Sequence, residues 1–279
     1  MKTIERITDG YIASFQDTSG LSPTRVNGLL CCPVCHKPMQ TTLNWNGSPV
    51  VVRCMCECEE NAYKAEEKAY RDQARMNLIQ ELKGSGLQDP LLKDYTFSHD
   101  NGSNPDMSKA HRYVEQWQEC RENNIGLLLF GPPGTGKTFF AGCIANALLN
   151  QCVPVLMISF SKIINTLTGM YSDDKNIYIS SLNAYDLLII DDLGVERQSD
   201  YALEQVYSVI DARYRSQKPM IITTNIGLAD MKRASESDIR YKRIYDRIIE
   251  ICQPIAFTGK NYRIEKAEKN RKLARQILF

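Results

Sequence analysis

From residue 126 onward the chain alternates short apolar runs with longer stretches of helical periodicity. The apolar runs are GLLLF at 126–130, VLMISF at 155–160, LLIID at 187–191, MIITTN at 220–225 and PIAFT at 254–258. Runs without polar alternation are typical of strands that are covered on both faces of a sheet. Helical patterns lie between them, for example at 139–152 and 202–216. The alternation predicts a parallel sheet in a three-layer α/β domain.

Two stretches of different character precede this region. Residues 1–58 are rich in cysteine, and residues 59–94 begin with a charged segment that contains neither Gly nor Pro before Gly84. In that segment Glu60 precedes Lys64 and Glu67 precedes Arg71 by four residues, the favourable order on a helix. We therefore predict a small module at 1–58, a helical spacer at 59–94 and the α/β domain at 95–279. The spacer is either a solvated helix or one that docks on a partner.

Charge and hydropathy exclude some classes of protein. Lys and Arg total 34 against 33 Asp and Glu, so no overall field attracts nucleic acid or a membrane surface. The N-terminal stretch MKTIERITDGYIASF has no long apolar run, and no stretch approaches the roughly 20 uncharged residues that a bilayer span requires. The sequence predicts a soluble, cytoplasmic protein with no membrane partner.

A phosphate-binding motif follows the first strand of the α/β region directly. The motif GPPGTGKT at 131–138 fits G-x-x-x-x-G-K-[ST] between a strand and a helix. Backbone N–H groups of such a loop surround phosphates, a lysine reaches the β and γ oxygens, and the final hydroxyl binds Mg²⁺. These last two roles fall to Lys137 and Thr138. The predicted nucleotide-contacting residues are Gly131, Pro132, Pro133, Gly134, Thr135, Gly136, Lys137, Thr138 and Phe139.

Polar residues at the ends of later strands complete a nucleotide site. The strand at 187–191 ends in Asp191, followed by Asp192, and we predict that Asp191 holds Mg²⁺ while Asp192 polarises the attacking water. Asn225 ends a later strand and is predicted to orient that water or the γ-phosphate. Arg247 and Arg263 follow the strands, and either can neutralise charge on the transferred phosphoryl group, one of them in trans.

Taken together, GPPGTGKT, LLIIDDLG, EQVYSVIDARY, PMIITTN, YDRIIE and NYR resemble the bacterial helicase-loader ATPases of the DnaC, DnaI and IstB type. The resemblance spans about residues 95 to 265. It implies an AAA+ P-loop domain with a five-stranded parallel sheet and ATP-dependent oligomer formation. It also implies that Arg247 is the arginine finger, Arg263 the second sensor and Asn225 the first sensor.

The resemblance implies a function as well. Such ATPases place a replicative helicase on single-stranded DNA, and slow, assembly-stimulated ATP hydrolysis is sufficient for that switch. One alternative is an IstB-like transposition helper. Another, from a different class, is a zinc-dependent adaptor that uses ATP as a switch with little hydrolysis.

Six of the ten cysteines fall between Cys31 and Cys58. Clustering in a chain without an export signal favours metal over disulfides, and Zn²⁺ needs four soft ligands. Cys32 and Cys35 form one Cys-x-x-Cys pair. The second pair is chosen from Cys54, Cys56 and Cys58, with Cys54 and Cys56 preferred and Cys58 a close substitute. An iron–sulfur or redox role and simple burial remain alternatives.

The C-terminal stretch is locally basic. From Lys260 to Arg275 it carries seven Lys or Arg and two Glu. The excess can contact phosphates of single-stranded DNA, and a solvated terminal helix explains it equally well.

Overall fold

The computed structural model describes residues 22–194 and 200–278. The N-terminal stretch considered above, residues 195–199 and the final residue of the basic tail, Phe279, lie outside the described residues. The chain divides after Arg75 into two compact units. Among the described helices, none has the length and apolar character that crossing a membrane requires.

The first unit contains two antiparallel hairpins. Their strands are β1 (Thr24–Val26), β2 (Leu29–Cys31), β3 (Gln40–Trp45) and β4 (Ser48–Arg53). The two turns are Asn27-Gly28 and Asn46-Gly47, and in each the φ angles are 50° and 80°. Asn-Gly is the pair that best adopts two successive positive φ angles, and such turns match the twist of the flanking strands. The hairpins hold the loop at 32–39 next to the end of β4.

A long helix, α1 (Glu57–Gly86), follows the hairpins and continues past Arg75. The predicted ion pairs are confirmed, because Lys64 Nζ lies 2.6 Å from Glu60 and Arg71 Nη2 lies 2.9 Å from Glu67. The helix begins three residues before Glu60 and therefore includes Cys58 in its first turn. The domain boundaries at 58/59 and 94/95 stay predictions.

The second unit is built on a five-stranded parallel sheet, which confirms the predicted fold class. Its strands are β5 (Gly126–Phe130), β6 (Val155–Ser159), β7 (Leu187–Leu193), β8 (Met220–Thr224) and β9 (Cys252–Ala256). Their spatial order is β6-β7-β8-β5-β9. The first four strands lie where the apolar runs predict them. Strand β9 begins at Cys252, two residues before the predicted run at 254–258.

Both faces of the sheet are buried, as continuous apolar strands require. In β5, Leu127 and Leu129 face one core and Leu128 faces the other. The first core is closed by helices α2 (Met107–Glu115), α3 (Trp117–Glu122) and α4 (Lys137–Asn150). The second is closed by α5 (Phe160–Thr168), α6 (Ser172–Leu182), α7 (Asp200–Arg215), α8 (Leu228–Ser237) and α9 (Ile239–Ile251). The last helix, α10 (Tyr262–Leu278), has no buried residue.

The strand order determines which loops meet. Strand β8 lies between β7 and β5, and all three run in the same direction. Their carboxyl ends therefore meet at one edge of the sheet, where ligands of open α/β sheets usually bind. The loop after β5, the acidic end of β7 and Asn225 after β8 come together there.

Candidate nucleotide-binding site and cysteine cluster

The loop at 131–136 joins β5 to α4 and turns sharply. Gly131 and Gly134 have φ angles of 136° and 82°. A Cβ atom on Gly131 would lie 2.2 Å from the carbonyl oxygen of Phe257, and one on Gly134 would lie 2.1 Å from Asn261 Oδ1. Only glycine fits both the backbone conformation and the space at these two positions. The loop therefore presents backbone N–H groups ahead of the α4 N-terminus, an arrangement that suits anions.

Lys137 lies at the centre of this edge and is only 5% exposed. Its Nζ donates to the carbonyl oxygens of Gly131 at 2.7 Å and Pro132 at 2.8 Å, and to Asn225 Oδ1 at 2.8 Å. Burial lowers the pKa of the Lys137 ammonium, and the carboxylates of Asp192 and Asp191 raise it. These three hydrogen bonds are to uncharged oxygens. Phosphate oxygens would be stronger partners for the same charge.

The hydroxyl of Thr138 and the carboxylate of Asp191 are in contact. Thr138 Oγ1 donates to Asp191 Oδ1 at 3.0 Å, and the hydroxyl of Thr223 donates to the same oxygen at 2.6 Å. Burial raises the pKa of Asp191, hydrogen bonds from Thr223 and Thr138 lower it, and the charge of Asp192 raises it. A hydroxyl and a carboxylate at the end of neighbouring elements are hard oxygen ligands of the kind that Mg²⁺ prefers.

Asp192 has an unusual backbone for a residue in a strand. Its φ is 56°, in the left-handed region, and its N–H donates to Thr223 Oγ1 at 2.9 Å. The β7–β8 register shifts between Ile190 and Leu193. The two acidic residues therefore interrupt the β7–β8 ladder next to the phosphate-binding loop, while Asp191 still pairs with Ser159 of β6.

The two predicted arginines have different surroundings. Arg263 is in the first turn of α10, and its charge acts with burial to lower the pKa of Lys137. Arg247 on α9 instead pairs with Asp211 at 2.8 Å, and its guanidinium lies 4.9 Å from the ring centroid of Tyr207. Both of these partners are on α7. Within one chain the structure brings Arg263 to the site and holds Arg247 on a different surface.

Two residues of the site were missed at the sequence level. Thr223 contacts both acidic residues, as described above. Asn261 precedes α10, and its side-chain Oδ1 accepts hydrogen bonds from the backbone N–H groups of Arg263 at 3.1 Å and Ile264 at 3.3 Å. The backbone N–H of Tyr262 donates to the carbonyl oxygen of Gly134 at 2.9 Å. Asn is a residue type that often caps the start of a helix, so Asn261 could have been recognised from its place before Tyr262 and Arg263. Thr223 is a polar residue in an otherwise apolar strand, and a buried hydroxyl needs a hydrogen-bond partner.

In the first unit four cysteines come together. The Sγ atoms of Cys32, Cys35, Cys56 and Cys58 all lie within 4.8 Å of one another. The geometry reverses the predicted order of preference, because it groups Cys58, the substitute, and not Cys54 with the other three, while the identity of the metal ligands stays a prediction. Cys54 continues the hairpin, because its N–H donates to Met39 at 2.9 Å, and its Sγ lies 3.6 Å from the carbonyl oxygen of Pro38. Cys58 takes its place because α1 begins early enough to turn that side chain toward the other three.

The thiols of this cluster perturb one another. Backbone hydrogen bonds at Lys37 and Cys58 lower the pKa of Cys35 to about 6. The hydrogen bond with Cys35 raises the pKa of Cys58 to about 12. Four sulfur atoms this close cannot all carry charge unless a cation lies among them. The cluster is compatible with zinc, which takes four thiolates at tetrahedral corners.

Comparison with known proteins agrees with the fold and the motifs. The sequence model of a family described as IstB-like ATP binding protein matches residues 61–270. The replicative helicase loader DnaC of Buchnera aphidicola subsp. Schizaphis graminum is 26% identical over 199 residues, covering 68% of this chain and 77% of DnaC. The phage-like element PBSX protein XkdC of Bacillus subtilis is 34% identical over 146 residues, covering 50% of this chain and 51% of XkdC.

A solved structure shares the fold. The crystal structure of DnaI superposes with a TM-score of 0.52 at 24% identity, covering 64% of this chain and 95% of DnaI. An identity this low speaks for the fold alone. The family match covers the spacer helix, the phosphate-binding loop, the acidic pair and the start of α10. On this evidence the chain belongs to the family of IstB-like ATP-binding proteins, within the DnaC, DnaI and IstB group of AAA+ P-loop proteins.

Proposed function

We propose that this protein is an ATP-dependent helicase loader that binds ATP with Mg²⁺ and hydrolyses it slowly, stimulated by assembly. The observation that carries the proposal is the contact between Thr138 and Asp191 at 3.0 Å, beside the buried ammonium of Lys137. It is the arrangement that a metal-bound triphosphate needs. That the protein loads a replicative helicase is inferred from its similarity to DnaC, which is described as a replicative helicase loader.

The residues of the site divide into binding and chemistry. The N–H groups of 131–138 and the Lys137 ammonium would hold the phosphates, and Phe139 and Arg263 would contribute further contacts. Thr138 and Asp191 would hold Mg²⁺, which when bound neutralises charge on the phosphate oxygens. Because Lys137 now bonds to neutral oxygens, nucleotide binding would replace these bonds with bonds to charged ones.

Hydrolysis requires a water aimed at the γ-phosphorus. Asp192 would accept the proton of that water as its oxygen bonds to phosphorus, while the bond from phosphorus to the β–γ bridging oxygen breaks and ADP leaves. Asn225 would orient the water or the γ-phosphate, since its amide lies within 2.8 Å of Lys137 Nζ. The residue at this position in such ATPases is more often Glu, whose side chain is one methylene longer. The shorter reach of Asp192 toward the water is consistent with slow turnover.

Arg247 would complete the site of a neighbouring subunit. Within its own chain it is paired with Asp211 rather than with the phosphate-binding loop, which supports a role in trans. We expect Arg247→Ala to remove at least ~10-fold of the assembly-stimulated ATP turnover, because arginine fingers stabilise transition-state charge. Arg215→Ala is the matched control, since Arg215 pairs with the same Asp211 at 2.8 Å but is largely exposed.

The arginine test has a definite contrary outcome. If Arg247→Ala and Arg215→Ala change turnover equally at concentrations where the protein self-associates, Arg247 has no role in trans. Turnover should be measured across a range of protein concentrations, because a contribution in trans disappears when the chains are separate.

The cysteine cluster would hold Zn²⁺ as a closed structural site. The four Sγ atoms within 4.8 Å supply the number and type of ligands that such a site needs. A closed site has no open coordination position, so this module would serve in binding a partner rather than in catalysis. The basic α10 would contact single-stranded DNA when subunits assemble.

One experiment tests the client directly. Purified protein with Mg²⁺ and ATP is mixed with a replicative helicase and, separately, with a transposase, and complexes are isolated. Retention of the helicase alone supports the loader. The transposition helper is the second candidate, favoured by the match to the IstB-like family, and retention of the transposase alone would establish it. Retention of the helicase with no ATP turnover under any assembly condition would favour the adaptor.

A further inference from the structure

The side chain of Thr223 lies between the two acidic residues of the nucleotide site. It is fully buried near the end of β8. Its hydroxyl donates to Asp191 Oδ1 at 2.6 Å and accepts the N–H of Asp192 at 2.9 Å. A hydroxyl has one proton to donate, and this one is used on Asp191. The same oxygen therefore joins the carboxylate of one residue to the backbone of the next.

The sheet register explains why a side chain performs this role. On β7 the paired positions advance from Ile190 to Leu193, three residues, while on β8 they advance from Ile222 to Thr224, two residues. Two residues of β7 thus oppose the single residue Thr223, which is the definition of a β-bulge. A bulge leaves backbone groups without a ladder partner. The Thr223 hydroxyl supplies an acceptor for the N–H of Asp192 in that gap.

The bulge also places Asp192 in a conformation that disfavours a side chain. Its φ of 56° is uncommon for any residue with a side chain, although Asp and Asn adopt it more readily than most, and surrounding contacts are needed to hold it. For Asp191 the effect is on the carboxylate. Both described hydroxyl donors, Thr138 and Thr223, bond to the same oxygen, Oδ1. Two hydroxyls therefore hold the carboxylate at one oxygen, which restricts its rotation.

We propose that Thr223 is a positioning residue that aims both acidic side chains at the nucleotide, Asp191 through its carboxylate and Asp192 through its backbone. The inference rests on the proposed function, in which Asp191 would hold Mg²⁺ and Asp192 would accept the proton of the attacking water. In this role Thr223 works through the two acidic residues, not on the metal or the water directly. It acts by holding the bulge in one geometry.

Thr223→Val removes the hydroxyl and keeps the shape of the side chain. We expect kcat for ATP to fall by roughly 10- to 100-fold, since small displacements of reacting groups are costly. We expect KM for ATP to stay nearly constant, because the phosphate-binding loop is untouched. The Mg²⁺ concentration for half-maximal activity should rise. Thr223→Ser keeps the hydroxyl and should restore kcat and the Mg²⁺ requirement.

Thr224→Val is the matched control for loss of a buried hydroxyl. Thr224 is the next residue of β8 and also fully buried, and its hydroxyl donates to the carbonyl of Leu193 at 2.7 Å and accepts the N–H of Ile226 at 3.1 Å. It lacks the contact with the acidic pair. Its melting temperature should fall as much as that of Thr223→Val, while its Mg²⁺ requirement should equal that of the parent.

The inference is overturned if Thr223→Val and Thr224→Val have the same kcat and the same Mg²⁺ requirement, or if Thr223→Ser is as impaired as Thr223→Val. A parent protein that binds Mg²⁺ and ATP without hydrolysing it would overturn the proposed hydrolysis instead. In that case the Mg²⁺ dependence of binding a fluorescent ATP analogue, measured on the same four proteins, decides between a positioning role and a purely structural one.

Discussion

The nucleotide edge of the sheet and the cysteine cluster are both groups of polar side chains, but they are assembled differently. The edge draws on four parts of the chain that are far apart in sequence: residues 131–138, Asp191 with Asp192, Thr223 with Asn225, and residues 261–263. The cluster draws on two short stretches, at 32–35 and 56–58. Strand order and direction bring the carboxyl ends of β5, β7 and β8 together, so the polar residues that end these strands can be found from the strands themselves.

In the cluster the choice of ligand depends on a single position in the chain. Cys54, Cys56 and Cys58 are spaced by two residues after the end of β4, and the structure groups the two that are farther from the strand, Cys56 and Cys58, with Cys32 and Cys35. No strand order constrains that choice. Regular strands therefore narrow the choice of candidate site residues, whereas a short connection leaves the choice of metal ligand open.

Removing the Lys137 ammonium should have the largest effect, because it tests the edge itself. We expect Lys137→Ala to reduce ATP turnover by on the order of 10²-fold or more, since it removes a buried charge aimed at the phosphates. Lys218→Ala is the control, as Lys218 also donates to a carbonyl oxygen, that of Asn183 at 2.9 Å, at the opposite end of the strands. Equal turnover in the two variants would remove the edge as the nucleotide site.

The cluster is tested by two cysteine substitutions that differ by four positions in sequence. Cys58→Ser should lose tightly bound zinc and expose the first unit to proteolysis, because three thiolates hold Zn²⁺ less well than four and the metal contributes to folding. Cys54→Ser should retain the zinc of the parent. Zinc content is measured by atomic absorption after dialysis against a chelator. Loss of metal from Cys54→Ser alone would instead identify Cys54 as the fourth ligand in place of Cys58.

A smaller effect is expected when the contact between the start of α10 and the phosphate-binding loop is disturbed. Gly134→Ala places a methyl group 2.1 Å from Asn261 Oδ1 and requires a left-handed alanine, which costs roughly 1–2 kcal/mol before any clash. We expect a lower melting temperature and weaker ATP binding. Gly84→Ala is the matched control, because a Cβ there meets nothing within 4 Å and Gly84 is in α1.

The Gly84→Ala control is expected to change stability in the opposite direction from Gly134→Ala. Alanine in a helix is favoured over glycine by up to ~1 kcal/mol, so Gly84→Ala should leave the melting temperature unchanged or raise it. ATP binding should be unaffected. If both glycine variants bind ATP as the parent does, contact between α10 and the loop is not needed for nucleotide binding.

The sequence by itself determined the fold class, the sheet strands and the main residues of the nucleotide edge. Short continuous apolar runs that alternate with helical patterns are typical of strands covered on both faces of a sheet, and the phosphate-binding loop requires glycines and a lysine at fixed spacing. Lys137, Thr138, Asp191 and Asn225 therefore follow from local pattern. Even the ion pairs of α1 follow, because a helix places residues four apart on one face.

Tertiary structure alone decided the rest. Thr223 became part of the site because a bulge in β7 sets two residues against one of β8, and a register shift of one residue has no trace in either strand's composition. Asn261 joined it because α10 begins against Gly134. Cys58 replaced Cys54 because α1 begins at Glu57. For Thr223 and Asn261 the deciding quantity is a distance between segments that are remote in sequence, and for Cys58 it is the residue at which a helix begins. Packing sets both, and the local pattern does not encode them.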